Sequence, residues 1–403
     1  MVTTSYPRFP GDSVGTFMEP IAKGVAARGH VVHLVAPWHP LINRRRVEDG
    51  VHFHFFKYAP LRSLNVFGYA AAMKADVSLR VSAFAVAPLA LLQSWRIARK
   101  IARRHHASLI HAHWVIPSGV TAAASAGARP LVISLHGSDV YIAERLLPAR
   151  LAARRAFGRA AAITACSEDL AQRARALGAD ATRLSVIPYG VDTGRFRPDA
   201  ESANQVRARL GVPPDAALLA SAGRLVRKKG FEYLIDAVAT MPSAIAAIAG
   251  DGSLRAALEA RAAASGVSER VRFLGDRAQD DVAALFAAAD VIVVPSVRDE
   301  AGNVDGLPNV VLEGLASGTP LVTTSAGGIG AVVEHERTGL IVPERDAGAI
   351  ATAASRFISD SAFAERIGSA GRTLAQSQFG WDRTAAEFEE VYRRALAFKS
   401  MPR

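Results

Sequence analysis

The chain has 403 residues, half of them apolar, and a single cysteine. That length carries two domains with full cores, and Cys166 alone cannot form an intramolecular disulfide, which fits a reducing cytosol. Net charge is +11, but no recognised nucleic-acid motif accompanies it, so nucleic acid is not an expected partner.

The opening residues MVTTSYPRFPGD lack a basic segment followed by an apolar one, so no secretory signal is expected. The longest apolar stretch of the first half, Ala83 to Leu92, is too short to span a bilayer. These features predict a soluble cytoplasmic protein. Two basic runs stand out: Arg44, Arg45 and Arg46, and then Arg96, Arg99, Lys100, Arg103 and Arg104 at helical spacing. They read either as solvated faces or as peripheral contacts with anionic lipid at the inner face of a membrane.

In chain order, Met1–Ser5 is all that remains for a first strand before Gly11, short for a core strand. A helix through residues 17–28 ends at Gly29, and the apolar run Val31–Ala36 follows as a strand. Leu109–His113, Leu131–Leu135 and Ala161–Ala165 are further short apolar runs, with helices near 89–105, 118–126 and 144–159 between them. This alternation predicts a parallel sheet with crossover helices, whose ligand loops leave the C-terminal ends of its strands.

Residues 188–200 (PYGVDTGRFRPDA) break the alternation with Gly and Pro and read as a linker. The expected domains are 1–188 and 201–378, joined by 189–200, with 379–403 as a terminal helical segment. In the second half the strands are Leu218–Ala222, Ala244–Ala249, Val271–Leu274, Val291–Val294, Leu321–Thr324 and Gly339–Val342. Helices fall near 230–240, 253–264, 280–288, 309–317, 328–334 and 346–358, and a last one near 381–398. Two similar α/β halves on a linker predict a cleft between them, a common place for small ligands.

Several loops carry chemistry. Residues 305–318 (DGLPNVVLEGLASG) set Asp305 on a loop and Glu313 on the helix that follows, with Pro308 at its start and Gly318 at its end. Between the two acids the helix N-terminus offers free N–H groups and a partial positive charge. That suits an anionic ligand whose hydroxyls the carboxylates hold. Residues 223–230 (GRLVRKKG) follow the first strand of the second half. There Arg224 can fork two phosphate oxygens and Lys229 can act as a point charge. The turns Gly250-Asp251-Gly252 and Gly275-Asp276 allow either close approach of a ligand or a tight bend.

In the first half, His136 follows the strand Leu131–Leu135 and can hydrogen-bond a sugar hydroxyl or transfer a proton. His111 and His113 share one face of a strand, but no acid or cysteine stands near with ligand spacing, so no metal site is expected. The loop Pro10 to Thr16 could cradle a phosphate through its N–H groups. It does not match G-x-G-x-x-G, and Ala36-Pro37-Trp38-His39 stands where an acid would end the second strand. Dinucleotide binding is therefore not expected here.

Taken in order, YPRFPGDSVGTF, ARGHVV, HAHW, LHGSD, IPYGVDTGRF, GRLVRKKG, AGDG, ADVIVVPS and DGLPNVVLEGLASGTPLV resemble the retaining glycosyltransferases of family 4, the group 1 glycosyltransferases. The resemblance spans nearly the whole chain. It implies the GT-B fold, two facing Rossmann-like domains with an interdomain cleft and a C-terminal helix crossing back to the N-terminal domain.

The resemblance also implies a nucleotide-diphosphate sugar as donor substrate, a glycan or lipid-linked acceptor, and no metal or other cofactor. Arg224 and Lys229 would hold the diphosphate, and Glu313 the ribose hydroxyls. Gly15 would approach the donor phosphate and His136 the sugar. Gly250, Gly306, Leu307 and Asn309 would complete the donor contacts. The first acid of the pair is usually Glu; here it is Asp305, with Glu300 as a rival across Ala-Gly-Asn-Val. Acceptor residues would belong to the N-terminal domain, where the loops around 40–70 and 136–147 carry no readable code. Competing readings are a sugar-nucleotide epimerase of the same fold and a non-catalytic sugar-nucleotide binding module. A phosphorylase would need a pyridoxal-phosphate lysine, which has no evident position. A dehydrogenase is disfavoured by the missing fingerprint.

Overall fold

The computed structural model describes residues 1–12, 14–61, 64, 65, 67–69, 73–75, 78, 79 and 81–400. Part of the 40–70 stretch and Ser13 of the Gly loop lie outside these. The chain divides into two compact units, Met1–Pro188 with Trp381–Arg403, and Tyr189–Gly380.

In the N-terminal unit the strands Val32–Pro37 and Val51–Phe56 pair in parallel, and Val47–Glu48 lies antiparallel to the latter. Ile110–His113, Leu131–Leu135, Ala162–Ala165 and Leu184–Val186 form a second parallel run. Val2 joins the two runs, bridging Val35 on one side and Ala112 on the other. The short first strand is thus reduced to one bridging position. All five residues of Leu131–Leu135 are buried, as a parallel strand covered on both faces requires.

The last helix, Trp381–Ser400, belongs to this unit. Its Phe388, Val391, Tyr392 and Ala395 join a core with Tyr6, Met18, Ile21, Leu34 and Val132. Burial of a large apolar side chain there contributes about 1.5–3 kcal/mol. Arg44 departs from both readings of its basic run. Its side chain is 1% exposed and paired with Glu19 and Glu48, each at 2.9 Å, while Arg45 and Arg46 are exposed.

In the C-terminal unit six parallel strands run in the spatial order Val271–Gly275, Ala244–Ala249, Ala217–Ala222, Val291–Val294, Leu321–Thr323, Leu340–Ile341. Strand order reverses at Ala217–Ala222, which puts a crevice beyond its C-terminal end and that of Val291–Val294.

Some elements differ from the sequence reading. Residues 144–159 hold two helices, Ser138–Arg145 and Leu147–Arg159, because Leu146 is extended and Pro148 opens the second. The helix expected near 328–334 is only a 3-10 turn, Ile329–Ala331; Gly327, Gly328 and Gly330 lower helix propensity there. Val51–Phe56 is a strand without a continuous apolar run, since His52 and His54 interrupt its apolar residues. The alternation V-H-F-H-F is nonetheless a half-buried strand pattern.

Candidate active site

The C-terminal unit builds an ionic cluster at its switch point. After Ala222 the chain makes a loop with one 3-10 turn, Arg227–Lys229, before the helix Phe231–Ala239. Gly230 has φ +65°, and a Cβ there would lie 2.0 Å from the Pro295 carbonyl oxygen. Only glycine lets this loop press on the end of the neighbouring strand. Val297 N–H donates to the Lys228 carbonyl at 2.9 Å and fastens the two segments.

That fastening brings both lysines onto Asp305. Lys228 Nζ lies 2.9 Å from Oδ1 and Lys229 Nζ 2.6 Å from Oδ2, with the three side chains only 10–16% exposed. Burial alone would raise the Asp305 carboxyl, but Lys228 and Lys229 hold it well below the usual carboxylate range. Two cations thus share one carboxylate. Arg224 sits exposed on the same loop.

Four residues beyond Asp305 the helix Asn309–Ser317 starts, with Pro308 in the capping position and no side-chain cap. Its first turn therefore presents backbone N–H groups beside the lysines' loop partner. Gly306 and Leu307 are buried and Asn309 half-buried. Glu313 lies one turn into the helix. Burial pushes its carboxyl up to about 7, against the pull of Lys229, Arg195 and a hydrogen bond with Gln279. Arg195 Nη1 in turn donates to Gln279 Oε1 at 2.7 Å, and its Nε to Asp280 Oδ1 at 2.7 Å.

The two acid registrations separate here. Asp299 closes a turn by accepting from the backbone N–H and side-chain amide of Asn303, both at 2.8 Å. Glu300 stands exposed on the outside of that turn, while Asp305 meets the lysines. Gly250 N–H donates to the Gly275 carbonyl at 2.8 Å, and a Cβ on it would lie 2.0 Å from the Gly223 carbonyl oxygen, so its backbone packs closely against the start of the Arg224 loop. Lys228, Gln279 and Arg195 were missed. Lys228 had a signal, the repeated lysine of the RKK run, but which lysine turns inward in a single 3-10 turn is not readable from spacing.

In the N-terminal unit, Asp139 anchors the His136 loop. It is buried and accepts from the N–H groups of Val115 (2.7 Å), Gly137 (3.0 Å) and His136 (3.3 Å). Burial pushes its carboxyl up to about 6 despite these bonds. The His136 ring lies against Trp114 and Phe17, at 4.6 and 4.8 Å between centroids, and its Nε2 is 3.1 Å from His113 Nδ1. Burial pushes His136 down to about 3, so the ring is neutral at pH 7 and suited to hydrogen bonding.

The His111 and His113 pair is consumed structurally. His111 meets the Tyr392 hydroxyl at 2.8 Å and Ser134 Oγ at 2.7 Å, and His113 meets His136. The loop that carries Gly15 (φ +66°) is shaped by Asp12, which pairs with Arg8 Nε at 2.6 Å and accepts from Val14 N–H at 3.3 Å.

Two family profiles match this chain, Glycosyltransferase Family 4 over residues 14–195 and Glycosyl transferases group 1 over residues 202–374. A GDP-mannose-dependent alpha-(1-6)-phosphatidylinositol monomannoside mannosyltransferase of Mycobacterium tuberculosis is 34% identical over 276 residues, 66% of this chain and 70% of that protein. A D-inositol 3-phosphate glycosyltransferase of Streptomyces scabiei is 32% identical over 317 residues, 73% and 69% of the respective chains. Among solved structures, Anabaena HepE in complex with UDP superposes with a TM-score of 0.77 at 22% identity, covering 97% of this chain and 99% of that one. That likeness shows the fold, α/β with two Rossmann-like domains of the GT-B kind.

Proposed function

This chain belongs to the group 1 glycosyltransferases, and from that premise we propose that it moves a sugar from a nucleotide-diphosphate sugar to a glycan or lipid-linked acceptor, retaining anomeric configuration and using no metal at the reacting centre. The carrying observation is the cluster of Lys228, Lys229 and Asp305 beside an uncapped helix start. A departing nucleoside diphosphate gains negative charge as the bond from the anomeric carbon to its phosphate oxygen breaks. Arg224, Lys228, Lys229 and the helix N-terminus near Asn309 oppose that charge, so their stabilisation is largest in the transition state.

The acceptor oxygen bonds the anomeric carbon on the face the diphosphate leaves, and its proton passes to the departing phosphate. No Asp-x-Asp occurs in the chain, and the basic groups supply the charge that a divalent ion supplies elsewhere. Asp305 contacts the donor sugar, with Gly306 and Leu307 beside it, and Glu313 the ribose. Gly15 and His136 keep the roles the family resemblance implies, at the donor phosphate and sugar. The mycobacterial relative's name carries a lipid acceptor, which supports a lipid-linked acceptor here. Exposed Arg45, Arg46, Arg96, Lys100 and Arg103 offer the N-terminal unit a contact with anionic lipid. Among the described residues no helix is long and apolar enough to cross a membrane.

The test is a panel of nucleotide sugars, GDP-mannose and UDP-glucose included, assayed for nucleoside diphosphate release with glycan and lipid acceptors. It is run with and without excess chelator and anionic vesicles. Acceptor-dependent release, unchanged by chelator and raised by vesicles, is expected. Donor binding without release under every condition marks a sugar-nucleotide binding module, and loss of release in chelator refutes the metal-free centre.

Glu313 adds a pH dependence. Its carboxyl, ordinarily near 4.5, titrates at about 7 in the folded chain. The raised value contributes stability that is complete below the unfolded value and lost as pH rises through the folded one. Donor binding runs the other way, because the ionised form accepts two ribose hydroxyls. If only that form binds, donor KM falls by about tenfold from pH 6 to pH 8. Glu313→Gln is expected to raise KM and flatten that profile. A wild-type KM that does not move over this range removes Glu313 from the ribose.

A further inference from the structure

We infer that His33, His54 and His105 form a binding site for a first-row divalent metal ion of the zinc class, separate from the transfer residues. In the parallel pair of strands Val32–Pro37 and Val51–Phe56, His33 lies opposite His52 and Val35 opposite His54. Side chains two apart share a face, so His33, His52 and His54 occupy one face of the sheet. The helix Val81–Arg104 ends there and delivers His105, whose N–H donates to the Ile101 carbonyl at 3.0 Å.

His33 Nδ1 and His54 Nε2 are 3.0 Å apart, and the candidate ligand nitrogens of all three residues lie within 4.8 Å of one another. The His33 ring stacks on His105 at 4.0 Å, and His52 lies 4.7 Å from it. Two imidazole nitrogens on one tetrahedral zinc sit roughly 3.3 Å apart, close to the spacing already present between His33 and His54. His105 is exposed, so its ring can turn its nitrogen inward and leave an entry path.

The donor set points to the class of ion. Three imidazoles without a carboxylate or thiolate suit zinc, copper or nickel and not magnesium or calcium. His33 is the second residue of its strand and His105 precedes Ile110–His113. His33 and His105 therefore lie toward the strands' N-terminal edge, with His54 nearer the middle of its strand, while the His136 loop leaves the opposite edge. No residue proposed for transfer takes part in the cluster.

Metal-stripped full-length protein is titrated with Co2+ and followed by visible absorption, with Zn2+ as competitor. One equivalent of Co2+ per chain, a tetrahedral spectrum and displacement by Zn2+ are expected. His105→Ala, an exposed change after a helix end, should weaken binding by about tenfold or more, and His54→Ala should do the same. Absence of saturable binding in the wild type, or unchanged affinity in folded His105→Ala protein, overturns the site.

Discussion

Replacing Lys229 by alanine is expected to lower turnover by about 10²- to 10³-fold, the range for removing one preorganised donor from a developing anion. In the intact cluster two lysines face one carboxylate. Without Lys229, Asp305 keeps Lys228, and one of the cations that would meet a departing diphosphate is gone. The same pair keeps Asp305 ionised, so the fold should survive and the melting temperature should move little. The loss should fall mainly on kcat, because the opposing charge matters most as the leaving group ionises. Arg224→Ala removes an exposed cation and is expected to cost less. Steady-state kinetics at saturating nucleotide sugar, with a melting curve beside it, separates these outcomes. An unchanged kcat in Lys229→Ala would exclude this lysine from the reacting centre.

What was legible in the sequence, and what was not, follows from the reach of each signal. Short apolar runs marked the parallel strands because both of their faces are buried, as in Leu131–Leu135. The Asn309–Ser317 helix could be bounded to a residue because Pro308 and Gly318 act through local backbone geometry. The chemistry of a loop position was legible as well: a cation-bearing segment after Ala217–Ala222 and an acid before the Asn309 helix. Their meeting was not, because it depends on Gly230 fitting against Pro295, a contact 65 residues distant in sequence.

The glycine of Gly250 illustrates the converse. Its freedom was legible, but that the Gly223 carbonyl lies where a Cβ would stand was not, because the two loops are 27 residues apart. His111 and His113 were legible as sharing a strand face without metal-ligand company; their partners were not, because Tyr392, nearly 300 residues on, supplies the hydroxyl that engages His111. The clustered histidines went unnoticed for a similar reason. His33, His54 and His105 come from two strands and a helix end, and only strand register brings them together.

Asp305→Ala is expected to be the most damaging change at the other pole of the cluster, and its effects should split in a diagnostic way. The side chain is 16% exposed and holds two lysines, so its removal takes a shared carboxylate away from two nearly buried cations, a loss of about 3–5 kcal/mol by analogy with broken buried pairs. A nucleoside diphosphate carries the charge that was lost. It should therefore stabilise Asp305→Ala protein by more than it stabilises wild type, and the donor KM should not rise. Turnover should still fall by about 10²-fold or more, because the sugar loses the acid that orients it. Glu300→Ala, outside the Asn303 turn, should leave stability and turnover unchanged. Thermal shifts with and without UDP or GDP, and kinetics of both variants, check these outcomes together. If Glu300→Ala abolishes transfer and Asp305→Ala does not, the acidic pair begins at Glu300, and the Lys228–Lys229–Asp305 cluster serves only to hold the loop.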